Sequence, residues 1–335
     1  MTNDLTLTFA SVDYLDRTRA LIDGSVKPAG LTLRHIPFTP GELFRRVAQY
    51  SEFDVAEFSM GTYMNLHDRG DRRYVAIPVF PSRCFRHGFI FVHGASDIHE
   101  PKQLIGRKVG VMEYQQTAAI WQRAVLEHDY GVRPQDMHWF QGGLKRPGYV
   151  ERNAIPNPPG VTIDFIPEDR TVEEMVATGE LDAVMEPYLA DGFIDGSGRI
   201  RRLFPNFVEV EQEYYRRTGT FPIMHTVVIR RSLYEEHRWI AMSLFNAFVE
   251  AQRLGWQRLL DCGALAVMLP WLTRDLWDVQ TIMGGGPQHW VYGYQENYTN
   301  VDALCQHHFE QGLSSRRLRP EELFAEETLE RPIRY

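Results

Sequence analysis

Residues 219–231, GTFPIMHTVVIRR, decide how the rest of the chain is read. The run of Val227, Val228 and Ile229 has the β-branched composition of a buried strand. His225 stands at the head of that run. A second stretch, PSRCFRHGFIFVH at 81–93, has the same shape, with His87 ahead of an apolar run. Either both imidazoles are satisfied core groups, or both face a shared cavity.

Outward from this stretch, the first third alternates strand and helix. Strands are predicted at 5–11, 31–37, 54–60 and 74–80. A helix follows Thr39, with Pro40 at its first position. A second α/β region opens near Pro101, with a strand at 107–112, a helix over about 115–130 and a strand at 161–167. Thr171 and Glu174 form a capping box for a further helix. Residues 141–160 are rich in Gly, Pro and Asn, a loop long enough to help cover a cleft. Beyond 231 the chain is mainly helical, with Ile240, Leu244, Phe248, Ala251 and Leu254 at helical spacing, then an aromatic-rich loop at 284–297.

This order predicts an α/β chain in two lobes. Residues 1–95 with 225–335 form lobe 1 and residues 96–224 form lobe 2, with crossovers near 84–95 and 218–230. Two crossovers imply a cleft, and clefts at domain interfaces are favoured ligand sites. Both histidines would lie on the crossovers.

Composition narrows the function. The chain has 335 residues, 44% hydrophobic and 24% charged, with a formal net charge of -8. That balance argues against a nucleic-acid partner, whose phosphates need an excess of Lys and Arg. Cys84, Cys262 and Cys305 are an odd number, far apart and without CxxC, so a reducing compartment fits. The N-terminus lacks the pattern of a signal peptide, and there is no apolar run of membrane-spanning length. The expectation is a cytoplasmic protein with no membrane partner; a monomer and a homo-oligomer both suit a chain of this size. The glycine patterns of nucleotide sites and of hydrolase elbows are absent, and no His, Asp and Glu group shows metal-ligand spacing. His307 and His308 are adjacent and would point different ways on a helix. No cofactor or metal is expected.

Candidate site residues cluster at predicted strand ends. In FPSRCFRHG an extended chain puts Arg83 and His87 on one face and Arg86 on the other, and guanidinium groups bind carboxylates. In VGVMEYQQTAAIW, Glu113, Tyr114, Gln115, Gln116 and Thr117 lie where a strand meets a helix N-terminus, a place that favours an anion. Arg19 follows the first strand as a candidate anion ligand, beside Asp13, Tyr14 and Arg17. His289, in HWVYGYQEN, is a candidate wall for an aromatic ligand. For each, a packing or surface role is the alternative.

At these residues the chain resembles a known family. LIDGSVKPAGLTL, EFDVAEFSMGTYM, AIPVFPSRCFRHGFIFV, GRKVGVMEYQQTAAIWQRAVLEHDYGV and TGTFPIMHTVVIRR resemble the 4,5-dihydroxyphthalate decarboxylase family over most of residues 5–250. The resemblance implies a type II periplasmic-binding-protein-like fold, two α/β lobes joined by two crossover strands. It implies loss of CO₂ from a hydroxylated aromatic dicarboxylate, giving protocatechuate without an organic cofactor. On that reading Arg83 and Arg86 anchor a carboxylate, helped by residues 115–117. His87 and His225 are the acid–base pair, with their roles unassigned, and Glu113 orients an imidazole or accepts a proton. A non-catalytic binding protein of this fold, or an enzyme acting on another aromatic acid, are the competing readings.

Overall fold

The computed structural model describes residues 4–149, 151–284 and 289–330. Part of the aromatic-rich loop expected at 284–297, residues 285–288, lies outside them. The chain opens with β1 (Leu5–Ser11), α1 (Arg19–Ile22), β2 (Leu31–Pro37), α2 (Pro40–Tyr50), β3 (Val55–Ser59), α3 (Met60–Asp68) and β4 (Tyr74–Ile77). Next come β5 (Ile90–His93), β6 (Lys108–Val111), α4 (Thr117–Tyr130), β7 (His138–Gln141), β8 (Thr162–Phe165) and α5 (Val172–Ala177). They are followed by β9 (Ala183–Met185), α6 (Asp191–Ile194), β10 (Ile200–Arg202) and α7 (Phe207–Thr218). The chain closes with β11 (His225–Arg230), α8 (Arg231–Glu236), α9 (Trp239–Leu260), α10 (Leu272–Met283) and α11 (Tyr294–Glu310).

These elements form two compact units. Unit 1 holds residues 1–83, 225–302 and 319–335; unit 2 holds residues 84–224 and 303–318. The first boundary falls at Arg83/Cys84, twelve or so residues before the position read from sequence. The reason is β5, which pairs with β9 and β10 inside the second sheet.

The sheet of unit 1 has the order β2-β1-β3-β11-β4. β1 is parallel to β2 and β3, and β11 runs antiparallel between β3 and β4. Val227, Val228 and Ile229 are fully buried, as a central strand covered on both faces requires. The sheet of unit 2 has the order β10-β5-β9-β6-β7-β8. Here β6 is parallel to β7 and β9, and β5 is the antiparallel strand beside β9. With the extra edge strand β8 set aside, both sheets follow one plan: second, first, third, antiparallel, fourth.

Two local features position the site of unit 1. Ser59 ends β3 and caps α3 by accepting a hydrogen bond from Thr62 N at 3.4 Å, so strand passes directly into helix. The loop after β1 lies against α9 at Gly255, where an added Cβ would sit 1.5 Å from the Asp16 carbonyl oxygen. Only glycine admits that approach. The exposed side of β4 is closed by residues 323–325, with Ala325 N donating to Ala76 O at 2.8 Å and Tyr63 Oη to Leu323 O at 2.6 Å.

Residues 84–89 are not the extended crossover expected. Arg86 has φ −126° and ψ 0°, and residues His87–Phe89 form a 3-10 turn. The alternation that would set Arg83 and His87 on one face is lost there. No helix among the described residues is long and apolar enough to cross a membrane.

Candidate active site

Glu57 is the anomaly of unit 1. It lies in the middle of β3, where every residue is buried, and is itself wholly buried. A carboxylate in that position is costly unless donors surround it. Val12 N donates to its Oε2 at 3.0 Å, and the Tyr14 hydroxyl donates to its Oε1 at 2.6 Å. The third partner is His225, whose Nδ1 lies 2.6 Å from Oε1. An ionised carboxylate only accepts, so Nδ1 carries the proton and Nε2 presents a lone pair. Phe44 holds the ring edge-on, with centroids 4.6 Å apart, and the His225 side chain keeps 16% of its surface exposed. Burial and the Glu57 charge push the Tyr14 hydroxyl far above its ordinary range, so it stays a donor.

Cations and aromatic rings surround this network. Arg17 stacks over Tyr14 at 4.3 Å and Trp290 at 4.5 Å, and its Nε donates to Asp16 at 2.9 Å. Arg83 is buried and its Nη1 donates to Asn297 Oδ1 at 2.8 Å. Asn297 in turn donates to Val291 O and Gly293 O, which fixes the backbone around Tyr292. Burial raises the Tyr292 hydroxyl, while the charges of Arg17 and Arg83 act in the other direction. A cavity of about 490 Å³ lies beside the loop after β1, lined by Asp13, Tyr14, Arg17, Gly255, Arg258 and Val267.

Two residues expected at this site lie outside the network. Arg19 is exposed and approaches Asp13 at 3.9 Å and Asp23 at 4.0 Å, ordinary surface pairing. Arg17, two residues earlier, is the arginine that stacks on Tyr14 beside the network. His289 packs against Trp256 with centroids 4.9 Å apart.

In unit 2 the strand-to-helix turn after β6 is tied inward. Glu113 is fully buried and accepts from Arg152 N at 3.0 Å and Arg152 Nε at 2.6 Å, with Arg152 Nη2 also against it. Both its oxygens thus hold the loop expected at 141–160, in place of the imidazole contact proposed for them. Gln115 donates to Asn153 O in the same loop, and Tyr114 N donates to Gln141 Oε1 at 2.8 Å. The Tyr114 ring is core: Arg123 stacks on it at 3.7 Å and Trp139 meets it edge-on. Gln116 is the N-cap of α4 and Thr117, buried, its first residue. Arg86 is buried, donates to Pro187 O at 3.0 Å and lies over Phe89. Beside it, Glu186 follows β9 with no exposed surface; burial and then the charge of Glu173 push its carboxyl well above the usual range.

His87 sits in an aromatic pocket of unit 2. It is 1% exposed, edge-on to Phe204 and Tyr214, and burial pushes its pKa down to about 4. Glu211 comes within 3.8 Å of His87 Nδ1 and accepts from Gly88 N at 3.0 Å; burial pushes it up to about 7. Between those values both groups are neutral, so the approach is no salt bridge. A carboxyl raised from its ordinary 4.5 to about 7 gives stability that is present below 4.5 and lost as pH rises through 7. Glu211→Gln keeps the acceptor and removes the titration. In urea unfolding it should match the wild type in free energy at pH 4 and exceed it by about 2–3 kcal/mol at pH 8.5. Equal pH profiles for the two proteins would refute this linkage.

Sequence reasoning passed over Glu57, Arg152 and Glu186. Glu57 had a signal, an acid set between the apolar Val55, Ala56 and Phe58 of a predicted strand. Arg152 had none, lying in a polar loop.

No protein-family model matches the chain. It is 37% identical over 326 residues to a 4,5-dihydroxyphthalate decarboxylase from Comamonas testosteroni, covering 97% of this chain and 98% of that one. It is 35% identical over 214 residues to a 4,5-dihydroxyphthalate decarboxylase from Pseudomonas putida, covering 64% of this chain and 83% of that one. Among solved structures it resembles the periplasmic aliphatic sulphonate binding protein SsuA from Escherichia coli, with a TM-score of 0.53, 12% identity, and 97% and 98% coverage. That likeness shows the fold, which is periplasmic-binding-protein-like, as expected.

Proposed function

The chain belongs to the 4,5-dihydroxyphthalate decarboxylase family, and from that premise we propose that it converts 4,5-dihydroxyphthalate to protocatechuate and CO₂ by proton transfer at His225. The observation that carries the residue assignment is the 2.6 Å bond from His225 Nδ1 to the buried Glu57. It fixes the ring and its tautomer, as a carboxylate does for a catalytic histidine.

Nε2 takes the proton of the ring hydroxyl para to the departing carboxylate. Electron density moves into the ring, and the carbon bearing that carboxylate takes a proton from water. The carbon–carboxylate bond then breaks, CO₂ leaves, and the bond pair restores the aromatic ring. The imidazolium returns its proton to the phenolate oxygen, so the net uptake is one proton from water. Glu57 stabilises the imidazolium while it exists. Arg17 holds the retained carboxylate, since its planar fork suits that group. Arg83 serves through Asn297, by setting the 291–293 backbone. His87, within its aromatic pocket, packs unit 2 and carries no proton in the reaction.

The test is incubation with 4,5-dihydroxyphthalate, following CO₂ release and the ultraviolet spectrum of protocatechuate. Binding without turnover favours a ligand-binding role, and neither binding nor turnover sinks the substrate assignment. Arg17→Met should raise KM about 10–100-fold, the loss of a charge-assisted contact, with a smaller effect on kcat. Arg19→Met should leave both unchanged. An Arg17→Met enzyme with wild-type KM removes Arg17 from the site.

A further inference from the structure

Within unit 2, the last turns of α4 and α11 bring together three groups that the proposed reaction does not use. His128 lies in the final turn of α4, and His307 and Glu310 are spaced i, i+3 on α11. His128 Nε2 is 2.9 Å from Glu310 Oε2, and His307 Nδ1 is 3.6 Å from the same oxygen. The ligand atoms of all three lie within 4.8 Å of one another. Around an ion bonded to nitrogen and oxygen at roughly 2.0–2.2 Å, neighbouring ligand atoms fall about 3–3.5 Å apart. The observed separations need only small side-chain adjustments to match.

Further observations distinguish this cluster from an ordinary surface ion pair. His307 Nδ1 is buried and has no hydrogen-bond partner, a costly state for an imidazole nitrogen. Gln306 Nε2 donates to Glu310 Oε1 at 2.7 Å, which turns the other oxygen toward the histidines. Trp121 braces the His307 ring edge-on at 5.2 Å. The His128 side chain is 45% exposed, leaving room for water to complete a coordination sphere.

We propose that His128 Nε2, His307 Nδ1 and Glu310 Oε2 form a binding site for one divalent transition ion of the zinc class, stapling the end of α11 to α4. Two imidazoles and one carboxylate favour Zn²⁺, Co²⁺ or Ni²⁺ and disfavour Mg²⁺, which prefers oxygen ligands. Sequence spacing missed the site because its third ligand, His128, is remote in the chain, and because the adjacent His307 and His308 obscure the i, i+3 pair.

The experiment uses the full chain, stripped with chelator and titrated with Co²⁺ and with Zn²⁺. Expected are one ion per chain, visible Co²⁺ absorption that Zn²⁺ abolishes, and a raised Tm with Zn²⁺ but not with Mg²⁺. His128→Gln and Glu310→Gln alter partly exposed groups and should keep the fold, checked by circular dichroism. Each should weaken Zn²⁺ at least about 100-fold, since even outer-shell changes cost 10–100-fold. His138→Gln, which alters an exposed His–Asp pair elsewhere, should leave binding unchanged. Absence of stoichiometric binding below millimolar Zn²⁺, or binding indifferent to His128→Gln and Glu310→Gln, overturns the proposal.

Discussion

His225→Asn should lower kcat on 4,5-dihydroxyphthalate by about 10²–10⁴-fold, the usual contribution of a positioned acid–base group, while KM changes little. Glu57→Gln should lower kcat by a comparable factor, because an amide in that place no longer fixes the tautomer or stabilises the imidazolium. Its side chain would still be buried beside Val12 N and Tyr14 Oη, so the fold should persist, which circular dichroism would check. The decisive measurement is the double variant. If Glu57 acts through His225, the pair of changes costs little more than His225→Asn alone. Multiplying effects would mean that Glu57 works independently. A His225→Asn protein with near-wild-type kcat would remove the ring from the reaction. His87→Gln is the contrast: it should cost stability through lost packing with Phe204 and Tyr214, and leave kcat near the wild-type value.

The largest stability loss should come from Arg152→Met. The change leaves the wholly buried Glu113 carboxylate without its guanidinium. Removing one partner of a buried ion pair typically costs about 3–5 kcal/mol. The loss should appear in the urea transition of unit 2, read through the buried Trp121 and Trp139. Arg152→Met combined with Glu113→Leu should recover much of it, because no unpaired charge then remains. A loss below about 1 kcal/mol for the single variant would mean that water reaches Glu113 and that the pair contributes little.

How much of this was legible depended on whether the determining interaction was local. The strands β1 and β2, the Thr171 cap and the loop after β7 follow from neighbours in sequence, and they stand where they were expected. Thr171 accepts from Glu174 N at 3.2 Å. Residues 84–89 misled because Arg86 turns the chain, and the partner that secures the turn, Glu211, lies on α7. The strand character of 225–230 was legible, but the meaning of His225 rests on Glu57 in another strand. Arg17 and Arg19 are both plausible anion ligands by type. Stacking against Tyr14 and against Trp290, far along the chain, separates them. Glu113 was expected to orient an imidazole or accept a proton; its oxygens hold Arg152, whose polar loop gave no periodic signal.

The shared strand plan of the two sheets bears on how the protein is made. The sheet of unit 2 draws all its strands from residues 84–224, one continuous stretch, so it can close as soon as that stretch leaves the ribosome. The sheet of unit 1 has no such option. Its antiparallel strand pairs Val227 with Glu57 on one side and Ile77 on the other. Until that strand is synthesised, β3 and β4 wait with unpaired edges, the long loop closure that slows folding and invites aggregation. The sheet of unit 2 is therefore the first that can close. The strand that closes the waiting sheet begins at His225, so the ring proposed to move the proton arrives with the last strand of that sheet.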